Sequence, residues 1–130
     1  MLNSLLALAA LAATPAVPMQ DEAPPPVYDG RGWTIQCAVV AKYLRDDEAV
    51  RLSDARIDNN PTAMARAQAE VDRLDAVYNA ALAAPSDVAD MTERFALARR
   101  FRDEVYGMQD GAREDVIASC ELVLGVPAAD

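Results

Sequence analysis

Apolar residues recur along this chain at helical rather than strand spacing. The pattern is cleanest from Asn60 to Tyr106. Met64, Ala67, Val71, Leu74, Tyr78 and Ala81 stand 3-4-3-4-3 apart, which puts all six on one helix face. Asn60 is a good N-cap, and Pro61 follows at the first helical position, where its missing N–H costs nothing. After Pro85, Ser86 is placed to cap a second helix with the stripe Val88, Met91, Phe95, Ala98, Phe101 and Val105. Two stripes joined by the short Ala84-Pro85-Ser86 break predict an antiparallel helical hairpin.

Upstream, Trp33, Cys37, Val40 and Leu44 follow a 4-3-4 spacing, widened by Ile35, Val39 and Tyr43. A helix apolar almost all round is a buried one. The β-branched Thr34, Ile35, Val39 and Val40 would also suit a strand, but no second strand candidate exists to pair with it. Trp33 is read as a core residue with its N–H near the edge. Arg45-Asp46-Asp47-Glu48 interrupts the stripe. A separate short segment to about Ile57 is therefore predicted, capped by Asp46 or Asp47, with Val50, Leu52 and Ile57 fitting no single face. Asp58-Asn59-Asn60-Pro61 reads as a turn.

Downstream, Gly107 suits the left-handed residue that closes a helix, and Asp110 is placed to cap the last one. Val116, Ile117, Cys120, Val123 and Leu124 share a face there, and Gly125-Val126-Pro127 is a stop signal. The predicted fold is all-α: a small antiparallel bundle of about four helices over residues 32–127.

The N-terminal pattern is different. Leu5 to Ala13 is an unbroken apolar run, too short for the roughly 20 residues that span a bilayer but suited to the centre of a signal peptide. Small-x-small sites follow at Ala10-Leu11-Ala12 and Thr14-Pro15-Ala16, although no Lys or Arg precedes the run. Residues 1–16 are read as a signal peptide and 17–31 as a proline-rich linker, so the chain is expected to be exported, to a periplasm or outside the cell. Neither a lipid-anchor cysteine nor an Arg-Arg pair accompanies the run.

Export changes the meaning of the two cysteines. Cys37 and Cys120 lie on the apolar faces of the first and last predicted helices, and an even pair in an exported protein is most simply a disulfide. The pair would link the first and last helices across nearly the whole domain. No Cys-x-x-Cys marks a redox site.

Composition removes most chemistry. There is no histidine, the commonest general acid–base and metal ligand near neutral pH. A net charge of −9 disfavours nucleic acid and anionic membrane surfaces as partners. Aligning Asp58 as the first ligand of a calcium loop puts Ala63 where glycine is needed and Ala69 where a ligating acid is needed, so the match fails. No Gly-x-Ser-x-Gly, Ser-x-x-Lys, phosphate loop or haem-attachment motif occurs. The chain is therefore read as a non-enzyme without cofactor or metal.

One cluster departs from the acidic average. Arg94, Arg99, Arg100 and Arg102 crowd around Phe95 and Phe101, as an anion site or a contact for an acidic partner would. Against this, Asp90–Arg94, Arg99–Asp103 and Arg100–Glu104 each stand four apart, a spacing that lets the charges pair on their own helix. Two functions follow. The first is a non-catalytic exported module acting by protein–protein interaction or as a structural part of the envelope. The second is a carrier of a small apolar ligand, in a pocket lined by Met64, Met91, Phe95, Phe101 and Met108.

Overall fold

Residues 30–127 are described by the computed structural model, and they form α1 (Trp33–Ile57), α2 (Pro61–Ala83), α3 (Met91–Gly107) and α4 (Asp110–Leu124). The signal-peptide reading and nearly all of the linker lie outside the described residues. The all-α bundle stands, with its first and last helices joined by a Cys37–Cys120 disulfide.

Helix α1 is the axis against which the other three pack. It is continuous, so the predicted break at Arg45–Glu48 does not exist. No Gly or Pro interrupts residues 33–57, and the charged stretch satisfies itself along the helix. Lys42 pairs with Asp46 at 3.0 Å and Arg51 with Asp47 at 2.8 Å, both four residues apart, and Arg51 also reaches Glu48. Small residues carry the buried face through this region. Cys37, Ala41, Leu52 and Ala55 are buried, with Leu44 and Glu48 half-buried between them. Val50 and Ile57 point into solvent, which is why they fitted no face.

The tight hairpin of the fold is α1–α2. Asn59 takes a left-handed φ of 55°, and the Asn60 side chain accepts from the Ala63 N–H at 3.1 Å, with Pro61 behind it. The two helices lie antiparallel, Cys37, Val40 and Ala41 packing in one core with Leu74, Val77 and Ala81. The predicted α2–α3 hairpin does not form: these two helices barely touch, and each packs on α1 instead. The intervening loop explains why. Val88 is fully buried within it, the Val88 N–H donates to Ser86 Oγ at 3.1 Å, and the Asp87 carboxylate accepts from the Gly32 N–H at 2.9 and 3.0 Å. The loop thus crosses the start of α1 and delivers α3 to another side. Asp90, not Ser86, caps α3, accepting from the Glu93 N–H at 2.8 Å.

Two further helix ends differ from the reading above. Gly107 is not left-handed; Gly32 and Gly125 are the glycines with positive φ among the described residues. The end of α3 is closed by a side chain instead, Arg113 donating to the Val105 and Tyr106 carbonyls at 3.0 and 3.2 Å. Asp110 does not cap α4; its carboxylate accepts from Arg113 Nη1 at 3.0 Å. Gly125 closes α4 in the left-handed conformation, as predicted.

Cys37 and Cys120 are both fully buried, with Cα atoms 5.8 Å apart. The bridge closes a loop across 83 positions, worth at most about 4–5 kcal/mol on chain-entropy grounds. A buried disulfide points to folding in an oxidising, non-cytoplasmic environment. Among the described residues, no helix is long and apolar enough to cross a membrane.

Candidate functional site

Because α2 and α3 stand apart, part of α1 is left uncovered between them, and an open groove runs along it. Ile35, Val39 and Lys42 of α1 form the floor. Tyr78 and Leu82 of α2 stand on one side, and Met91, Phe95 and Ala98 of α3 on the other. This part encloses about 460 Å³. A second part of about 400 Å³ continues past Val39, Lys42, Phe95 and Ala98, which belong to both, to Tyr43 and Tyr106. The far end is fixed by an edge-to-face Tyr43–Tyr106 pair, centroids 5.2 Å apart, with the Arg113 guanidinium 4.8 Å from the Tyr43 ring centre.

The groove exposes large apolar side chains. Leu82 is 62% exposed, Phe95 61%, Tyr106 59% and Met91 55%. Met91 and Phe95 therefore do not join the core as their stripe implied; of that stripe, Val88, Phe101 and Val105 are buried. The five residues of the carrier pocket are not gathered around one cavity. Met91 and Phe95 line the groove, Phe101 is buried beside Gly32, Met108 packs against the central core, and Met64 is half-buried on α2.

The arginine cluster divides. Arg94, Arg99 and Arg102 line the groove. Arg100 faces elsewhere, paired with Glu104 at 3.2 Å and lying 5.0 Å from the Phe101 ring centre. Of the three intrahelical pairs the spacing allowed, Arg100–Glu104 alone forms. Asp90 is committed to the α3 N-terminus, and Asp103 lies 4.0 Å from Arg102 rather than on Arg99. Among the described residues, no carboxylate lies within 4 Å of Arg94 or Arg99. Lys42 is paired with Asp46, the one acid on the groove wall.

Leu82, Lys42 and Tyr106 are groove residues that the sequence did not single out. For Tyr106 the signal is positional: Met91, Phe95, Ala98, Arg102 and Tyr106 share one face of α3, and an arginine within an apolar stripe marks a face that reaches solvent; Lys42 on α1 and Leu82 on α2 carry no such signal. Among the described residues, no cluster of three or more His, Cys, Asp or Glu side chains is placed to hold a metal ion. Comparison with protein-family models, with curated proteins and with solved structures finds no match for this chain.

Proposed function

We propose that this protein is an exported, non-catalytic binding module that engages another protein through the α2–α3 groove. The observation carrying this reading is the groove itself: an open channel exposing four large apolar side chains together, edged by Arg94 and Arg99, which pair with no carboxylate among the described residues. Export, to a periplasm or outside the cell, is supported by the apolar run at Leu5–Ala13 and by the buried disulfide. A non-catalytic role fits the missing histidine. A carrier of a small apolar molecule is the weaker reading, because such a ligand needs most of its surface enclosed. Here Leu82, Met91 and Phe95 leave the channel open along its length.

A photo-crosslinking side chain at Phe95 in the natural host tests this. A discrete protein adduct from position 95, absent when the same group replaces exposed Asp72, is the expected result. Equal labelling at both positions would remove the groove as the docking surface. Fractionation, with the mass of the mature chain, tests export.

A further inference from the structure

Resting on the reading of the groove as a docking surface, we infer that its occupant is an acidic amphipathic helix of a partner protein. From Trp33 to Ala41 no residue of α1 is fully exposed, and the groove over this stretch, between α2 and α3, is an apolar seat into which a further helix can pack against α1. Its floor and walls include Ala38, Ala81 and Ala98, small side chains that let another helix approach closely.

Charge selects the kind of helix. Four cations line the channel, Lys42, Arg94, Arg99 and Arg102, against one carboxylate, Asp46, which Lys42 already satisfies at 3.0 Å. This basic edge sits on a chain of net charge −9. Arg94 and Arg102 are two turns apart along α3, about 12 Å. Acids at i, i+4 and i+8 of a partner helix spread over the same distance. A single-headed anionic amphiphile would meet one arginine and leave the others unmatched, and its tail would lie open to water beside Phe95 and Leu82. A second copy docking groove to groove would set arginine against arginine.

Two synthetic helices of about 16 residues, bridged to hold their shape and sharing one leucine face, provide the test. One carries Glu on its remaining positions and the other Lys, and each is titrated into the isotope-labelled full chain. The Glu helix is expected to shift the Val39, Phe95 and Ala98 amides and to bind about tenfold more tightly than the Lys helix. That advantage should shrink as salt rises and disappear in R99E/R102E, whose side chains are exposed. Equal binding of both helices at these amides would overturn the charge inference and leave the groove reading standing. No shift with either helix would overturn both. Decanoate binding there more tightly than the Glu helix, or the same shifts arising from protein concentration alone, would replace the partner helix by an amphiphile or a second copy.

Discussion

Arg73 meets three carboxylates at once. Its Nε and Nη2 donate to the two oxygens of Glu121 at 2.9 Å each, and Nη1 donates to Glu70 at 2.9 Å and Glu114 at 3.2 Å. Glu121 is buried, so its carboxylate oxygens take their hydrogen bonds from that fork rather than from water, and these bonds hold the Arg73 guanidinium pKa above its ordinary value. Arg73→Met should cost about 3–5 kcal/mol in urea unfolding, and adding Glu121→Leu should restore most of it, since the orphaned charge is then gone. Gly32 is constrained differently. Its φ is 77°, and a Cβ there would stand 3.0 Å from Leu97 Cδ1. Gly32→Ala is expected to lose about 1–2 kcal/mol or more, read as a lower melting temperature. Arg31 holds Glu93 through two hydrogen bonds of 2.9 Å, and these keep the Glu93 carboxyl below its ordinary pKa of 4.5. A carboxyl pKa depressed by folding stabilises the fold above the unfolded value, and that support fades as pH falls through the folded value. An NMR titration should place the Glu93 midpoint under 4.5, and Arg31→Ala should return it upward.

At the scale of helices, the disulfide is the decisive link between α1 and α4. Cys37→Ser/Cys120→Ser is expected to lower stability by about 2–5 kcal/mol in denaturant while leaving helical circular dichroism in place. The all-α bundle of about four helices, the Asn60 cap, the Gly125 stop and the cysteine pairing could be read from the sequence, because each depends on local spacing or on elimination; the continuity of α1 could not. The neighbours of α3 could not. Its order in the chain favours α2, but the burial of Val88 and the hydrogen bonds from the Gly32 N–H to Asp87 at the start of α1 decide the matter, and the latter are long-range. The apolar stripe of α3 misleads for a geometric reason. The six residues from Phe95 to Phe101 turn the helix through about 600°, so the two rings point about 120° apart. Phe101 enters the core and Phe95 faces the groove. Alanine hid α1 in the same way: Ala41 and Ala55 continue the buried face past the charged run, but alanine marks no face by itself. The arginine cluster was visible from its composition. That Arg94 and Arg99 go without an acid among the described residues was not, since spacing permits a pair without forming one.

For the whole molecule, the covalent and polar fastenings are unevenly shared. The bridge and the Arg73 fork tie α4 to α1 and α2. Helix α3 is held chiefly at its ends, by Arg31 and the Asp87–Gly32 contact at the start and by Tyr43 and Arg113 at the finish. Within it only Phe101 and Val105 are buried. Stability is thus graded, and α3 should open to solvent more readily than the rest. Amide hydrogen exchange is expected to be fastest in α3 among the four helices and slowest around Cys37 and Leu74. The α3 wall of the groove is then a compliant one, able to adjust its width while the stapled remainder stays folded. A bound helix would be felt first as slower exchange along α3, before any change in the shape of the bundle.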